Sequence, residues 1–66
     1  MTVARITEIS SRSEQSFEDA VRKGIERATA TLRNDEGAWI KEQEVKISDG
    51  QITSYEVVLK VTFVLE

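Results

Sequence analysis

The C-terminal stretch of the sequence alternates apolar and polar side chains without interruption. Its apolar members are Tyr55, Val57, Leu59, Val61, Phe63 and Leu65. Since successive side chains of a strand point to opposite faces, this period of two predicts a β-strand over residues 51–65. The preceding Asp49-Gly50 favours a type I′ turn, because both central residues of that turn need positive φ. A second strand over residues 38–48 is therefore expected to pair with the first in an antiparallel hairpin.

The middle of the sequence carries the period of a helix. Apolar and small residues recur three and four positions apart, and they are Phe17, Ala20, Val21, Gly24, Ile25, Ala28 and Leu32. This spacing predicts a helix over residues 14–33, with Arg33 in its last turn. Ser13 and Ser16 are both candidate N-caps, and Ser16 with Asp19 resembles a capping box. β-branched residues near the N-terminus predict a further strand over residues 2–9, which the serine-rich stretch ends.

These elements predict a single α+β domain over residues 1–66, built as a β-α-β-β unit. The helix crossover makes the first two strands parallel, and the hairpin makes the third strand antiparallel to both. The third strand is the longest and most apolar, so it is expected in the middle of a three-stranded antiparallel sheet of order 1-3-2. The helix then covers one face of the sheet, and no element is left for the other face.

Trp39, the only tryptophan, lies among charged residues in the second strand. With a two-residue turn, Trp39 pairs with Lys60, and the same register places Gln43 opposite Glu56. Trp39 and Gln43 are then expected on the uncovered face, and Glu44 on the helix-covered face. Trp39 is either an anchor between subunits or a stacking surface for a planar ligand, and both interpretations require self-association.

The composition excludes several classes of protein. Cys and His are absent, so neither disulfides nor thiolate or imidazole metal sites can stabilise this chain of 66 residues. A chain of this size buries only about 60% of its unfolded surface, which favours association with further copies. A net charge of −3 with interspersed signs argues against a nucleic-acid partner. No membrane span or signal peptide is visible, so a cytoplasmic protein is expected.

The sequence predicts no enzyme. There is no His to act as a general base, and no nucleophile stands at a recognisable spacing from a partner. The glycines form no phosphate-binding motif. The acidic residues are expected to be solvated or interface charges rather than catalytic groups.

The chain resembles the dodecins over essentially its whole length. The resemblance rests on "VARITEI", a serine-rich bend, "SFEDAV", the hairpin and the ending "YEVVLKVTFVLE". It implies a hollow, roughly spherical homododecamer of cubic (23) symmetry, with the sheets inside and the helices outside. It also implies flavins, riboflavin or FMN, bound in pairs between tryptophans of neighbouring subunits. The implied role is flavin storage and protection rather than turnover.

Two positions depart from the flavin site that the resemblance implies. Gly37 stands where the stacking tryptophan is expected, and Trp39 lies two residues, about 7 Å, further along the strand. Glu56 stands where a glutamine is expected to bind the edge of the ring, and a carboxylate only accepts hydrogen bonds. Lys46 is expected near the ribityl chain, where it could meet a flavin phosphate. Gln43 could replace part of the missing glutamine.

Two functions therefore stay open. The first is a flavin-binding storage shell whose ligand residues are Trp39, Glu56, Gln43, Lys46 and Gly37. The second is a structural or ion-binding shell, because a dodecin branch without the stacking tryptophan is associated with calcium and "IKEQ" resembles that branch. The turn "SDGQ" supplies a single carboxylate, so no EF-hand loop and no metal ligand are predicted.

Overall fold

The computed structural model describes residues 3–65 as three strands and one helix. The elements are β1 Val3–Ser13, α1 Phe17–Thr31, β2 Asp35–Ser48 and β3 Gln51–Leu65. β3 lies in the centre and pairs antiparallel with both neighbours, which confirms the predicted order 1-3-2. The strand predicted over residues 51–65 is confirmed, and β2 begins three residues before its predicted start. Thr2, the predicted start of the first strand, lies outside the described residues.

The serine-rich stretch predicted to end the first strand belongs to it. β1 continues to Ser13, which is 4% exposed and donates its Oγ–H to Asp19 Oδ2 at 2.6 Å. Ser16 is the N-cap, because its Oγ accepts a hydrogen bond from Asp19 N at 2.9 Å. Ser13 therefore binds Asp19, in the first helical turn, from outside the helix. The helix begins at Phe17, three residues later than predicted.

The helix also ends earlier than the predicted residue 33. Its last residue is Thr31, and Leu32 N donates to Ala28 O at 2.7 Å as the C-cap. Asn34 then takes φ 60°, a left-handed conformation that asparagine tolerates and that turns the chain into β2. The prediction of Arg33 in the last helical turn is wrong, because the helix stops before it.

The core lies between α1 and the face of β3 that the alternation predicts. Its buried apolar residues are Ala20, Ala28, Val57, Leu59 and Val61. Gly24 permits the close approach of helix and sheet, since a Cβ there would lie 3.0 Å from Leu59 Cδ1 and 3.1 Å from Ser11 Cβ. At one end of this core Phe17 packs edge-on against Tyr55, with ring centroids 5.1 Å apart.

The hairpin turn and the pairing of Trp39 are as predicted. Asp49 and Gly50 both take positive φ, 53° and 74°, as a type I′ turn requires. Ten positions further from the turn along β2, Trp39 pairs with Lys60. The sequence thus predicts both ends of this stretch of the ladder correctly.

Between the turn and Trp39, the pairing of β2 with β3 differs by one residue from the predicted register. Two β-bulges cause the displacement: Thr53 is the extra residue on β3, and Lys41 is the extra residue on β2. Gln43 therefore pairs with Val57 and lies on the helix side of the sheet. The predicted placement of Gln43 beside Trp39 is wrong, and so is the placement of Glu44 toward the helix.

The helix covers only part of its side of the sheet. α1 packs on β1 and β3, and β2 extends beyond it. Ile40 pairs with Leu59 and faces the helix side, but it remains 48% exposed. A groove of about 450 Å³ consequently lies between α1 and β2.

Candidate ligand-binding site

The candidate site lies on the face of the sheet opposite α1, here called the open face. Its central strand contributes Glu56, Val58, Lys60 and Thr62. Their cross-strand partners are Ile6, Glu8, Ser10 and Arg12 on β1, and Gly37, Trp39, Glu42 and Glu44 on β2. No element within residues 3–65 covers this face. Trp39 is 49% exposed and Ile6 51% exposed, so the face presents bare apolar surface among charges.

Trp39 and Lys60 form one group on the open face. The Lys60 ammonium lies over the indole, with Nζ 5.6 Å from the ring centroid, which is the geometry of a cation–π contact. In the described part of the chain no carboxylate lies within 4 Å of Lys60 Nζ, unlike the paired ammonium of Lys41. The indole therefore offers a flat apolar surface with a cation beside it, and the strand partner of that cation, Glu8, forms its ion pair with Lys41.

Glu56 lies at the centre of a second, charged group. Its carboxylate lies 3.3 Å from Arg12 Nη2 and 3.9 Å from Lys46 Nζ, and Lys46 also lies 3.5 Å from Glu44 Oε1. The Glu56 side chain is only 23% exposed. Glu56 is thus an acceptor already engaged by two cations. Four residues of β3, about 13 Å, separate it from the strand position of Lys60.

The bulge at Lys41 joins the outer strands across this face. Lys41 Nζ donates to Glu8 Oε2 at 2.8 Å. This hydrogen bond lowers the pKa of Glu8, and the same contact raises the pKa of Lys41. Both groups are charged at neutral pH, so the contact is an ion pair on the surface of the sheet.

Gly37 leaves open space beside Trp39. It lies opposite Thr62 on the open face, and a Cβ built on it meets no heavy atom within 4 Å. The backbone of Gly37 does not have positive φ, so a larger side chain can be accommodated there. At the position where the family resemblance implies an aromatic ring, no described atom therefore blocks the Cβ of a larger side chain.

The structure brings four of the five predicted site residues onto one face, in two groups. Trp39 and Gly37 lie at one end of the open face, and Glu56 and Lys46 at the other. Gln43 lies on the opposite face and cannot contact a ligand stacked on Trp39. The sequence predicted that Lys60 pairs with Trp39, but Lys60 was not among the predicted site residues, and Arg12 was not predicted as a neighbour of the site. Extending β1 to Ser13 would have found Arg12, because the pairing with β3 then places it opposite Glu56.

The described residues contain no other recognisable site of metal binding or membrane insertion. Within residues 3–65, no three acidic side chains converge closely enough to hold a metal ion. The helix in the same range is not long and apolar enough to cross a membrane.

Residues 3–66 match the dodecin family, so the chain belongs to that family. It is similar to the solved dodecin of Streptomyces davaonensis, with 35% identity, a TM-score of 0.91, and coverage of 98% of this chain and 96% of that one. It is similar to a single-substitution mutant of the Thermus thermophilus dodecin, with 33% identity, a TM-score of 0.92, and coverage of 100% of this chain and 98% of that one. No curated protein matches the chain at a significant level.

A third similar structure is the calcium-chelating immunodominant antigen, calcium dodecin, of Mycobacterium tuberculosis. It shares 26% identity with a TM-score of 0.82, over 97% of this chain and 91% of that one. The fold of this chain is therefore shared by a protein that is described as calcium-chelating.

Proposed function

We propose that this chain assembles as a homododecamer that binds and stores a flavin without turning it over. The observation that carries the proposal is the half-exposed Trp39 on a sheet face that nothing in the described chain covers. Stacking of a planar ring on an aromatic side chain contributes about 1–3 kcal/mol in related base-stacking cases. Trp39 residues from two neighbouring copies, together with burial of the ring, would allow micromolar affinity, near −8 kcal/mol.

Glu56 makes flavin binding weaker than a glutamine at its position would. The edge of a flavin ring presents both donors and acceptors, and Glu56 can only accept hydrogen bonds. Its carboxylate is also paired with Arg12 and Lys46, which a ligand would have to displace or share. A buried polar group left without a partner costs about 1–3 kcal/mol, which corresponds to one or two powers of ten in affinity.

Lys46 supports the phosphorylated flavin as a ligand. It lies on the open face because the bulges displace the ladder, with Nζ 3.5 Å from Glu44 and 3.9 Å from Glu56. Its ammonium is shared between two carboxylates and can reorient toward a phosphate. FMN can therefore form a charge-assisted contact here that riboflavin lacks.

Titration with riboflavin and FMN tests the proposal, with flavin fluorescence and Trp39 emission as readouts. The unmodified protein is expected to quench both on binding. Glu56→Gln should bind about tenfold or more tightly than the unmodified protein, because the amide can both donate and accept. Glu42→Gln is the matched control, since it removes the same charge from the same face. Gly37→Trp should also tighten binding, because it fills open space beside Trp39 with a second ring.

The opposite outcome would favour a structural or ion-binding shell. Absence of binding by the unmodified protein and both gain variants, with Trp39 emission unchanged, would reject flavin storage. Calcium titration of the same samples would then separate the remaining functions. The calcium alternative has no support from the described residues of a single chain, because no cluster of acidic ligands forms there.

A further inference from the structure

Asp35, the first residue of β2, has an unsatisfied carboxylate. Both of its carboxylate oxygens are buried, and neither accepts a hydrogen bond from any group within residues 3–65. Burial without a hydrogen-bond partner is unfavourable for any polar group and more so for a charged one. Within the described residues, Asp35 is therefore an acceptor that a donor from a second molecule could satisfy.

The surroundings of Asp35 leave room for such a donor. Asp35 lines the groove between α1 and β2, whose walls are otherwise mainly apolar. The apolar lining includes Val21, Ile25, Ala28, Ile40, Leu59 and Val61. α1 packs mainly on β1 and β3, which leaves this groove between α1 and β2. Asp35 as a residue is only partly buried, so its side chain can turn toward the groove. An entering side chain with an apolar stem and a cationic head then fits, with the stem on the walls and the head at the carboxylate.

The chain itself offers side chains of this kind. Four cationic side chains lack a carboxylate within 4 Å in the described residues, in contrast to the five that form ion pairs. They are Arg5, Arg27, Arg33 and Lys60. Lys60 lies on the open face over Trp39, so it belongs to the other side of the sheet. Three arginines remain, and a guanidinium can satisfy both oxygens of a carboxylate at once.

We propose that an arginine of a second copy of this chain enters the groove and pairs with Asp35. The groove is then a contact between subunits that is incomplete in one chain, and Asp35 is a residue that selects the correct neighbour. This proposal rests on the self-association within the proposed function and is independent of flavin binding. A buried carboxylate without its arginine disfavours both the free chain and wrongly docked assemblies.

Whether replacing Asp35 speeds or slows subunit exchange shows whether its carboxylate is paired in the assembly. Asp35→Leu, and the near-isosteric Asp35→Asn, are each mixed with isotopically labelled protein of the same sequence, and subunit exchange is followed by native mass spectrometry. Both variants should exchange at least about tenfold faster than the unmodified protein, because the arginine loses its partner. Glu14→Gln, at an exposed position between β1 and α1 and outside the groove, should leave exchange unchanged. Equal or slower exchange of Asp35→Leu would overturn the proposal, since removal of an unpaired buried charge stabilises an apolar contact.

Double-mutant cycles identify the arginine. Arg5→Met, Arg27→Met and Arg33→Met are each combined with Asp35→Leu. The partner arginine should accelerate exchange when replaced alone and add little in the Asp35→Leu background, whereas the other two should act additively. Additive behaviour of all three would overturn the ionic contact. A single-chain mass for the unmodified protein would instead reject the proposed self-association, so the two failures are distinguishable.

Discussion

At the scale of single residues, Lys60 gives Trp39 a charge preference that an aromatic ring alone would lack. Its ammonium lies 5.6 Å from the ring centroid and has no carboxylate within 4 Å among the described residues. A ligand that stacks on that side of the indole displaces the cation. An anionic ligand can regain the lost attraction by pairing with the displaced ammonium, and a neutral ligand cannot.

Lys60→Met should therefore change which flavin is preferred. An exposed cation–π contact contributes about 0.5–1 kcal/mol, so riboflavin should bind about two- to fivefold more tightly once the ammonium is absent. FMN should gain less or lose affinity, and the ratio of FMN to riboflavin affinity should fall. Parallel fluorescence titrations measure the ratio. Lys23→Met removes an equal charge from α1, on the other side of the sheet, and should leave the ratio unchanged. An unchanged ratio in Lys60→Met would show that the cation does not take part in selection.

The ionisation of Asp19 makes the stability of the fold depend on pH. The hydrogen bond from Ser13 and the ion pair with Lys23, at 3.1 Å, lower the pKa of Asp19 below its ordinary value. A carboxyl group whose pKa is lowered by folding stabilises the fold above its unfolded pKa, about 4, and loses that contribution as the pH falls through the folded pKa. Ser13→Ala should raise the folded pKa of Asp19, so the variant should be less stable at neutral pH and lose less on acidification.

The measurement is an NMR titration of the Asp19 carboxyl carbon together with unfolding midpoints between pH 7 and pH 2. Ser10→Ala is the control, since Ser10 lies exposed on the open face. A pKa of Asp19 that does not move in Ser13→Ala would contradict the assigned role of the Ser13 hydroxyl.

At the scale of elements, the hairpin shows how far sequence reasoning reaches. The alternation of apolar and polar residues predicted β3, because every second residue of this strand faces the core. Asp49-Gly50 predicted the turn. Neither Thr53 nor Lys41 differs in type from ordinary strand residues, so the bulges could not be read from the sequence. The two bulges lie on opposite strands and cancel, which is why the pairing of Trp39 was predicted correctly.

The placement of the helix was also beyond sequence reasoning. Periodicity identified the apolar stripe of α1, but the strands that this stripe covers depend on tertiary packing. Ile40 is apolar and faces the helix side, yet it remains half exposed because α1 packs over β1 and β3. The same packing leaves the Asp35 carboxylate without a hydrogen-bond donor among the described residues, and no sequence pattern predicts this.

Gly24 should be the least tolerant glycine of the chain. A Cβ at this position would lie 3.0 Å from Leu59 Cδ1, so Gly24→Val forces α1 away from the sheet. We expect a loss of about 1–3 kcal/mol in the free energy of unfolding. Chemical denaturation followed by circular dichroism measures it. Gly37→Ala is the matched control, because a Cβ there meets nothing within 4 Å. Equal effects of the two substitutions would contradict the close packing of α1 at Gly24.

At the scale of the whole molecule, we expect a homododecamer at micromolar concentration. Within residues 3–65 of a single chain, the core comprises five buried apolar residues, which is little for a chain of this length. Light scattering should give a mass of twelve chains. Trp39 should emit at short wavelength and resist quenching by iodide, because contact between copies would cover the open face. A mass of one or two chains, or the emission of a solvated indole, would contradict the assembly.

The topology of the sheet sets the order in which the chain can fold. β2 and β3 meet through a two-residue turn, and hairpins of this kind form in about 1–10 μs. β1 reaches β3 from the other end of the described chain, where Val3 pairs with Leu65, so its docking requires closure of a long loop and is the slower step. During that interval one edge of β3, the most apolar strand, is an unpaired template for any other strand. Correct assembly thus depends on β1 arriving before a neighbouring chain does, and refolding yield should fall as protein concentration rises.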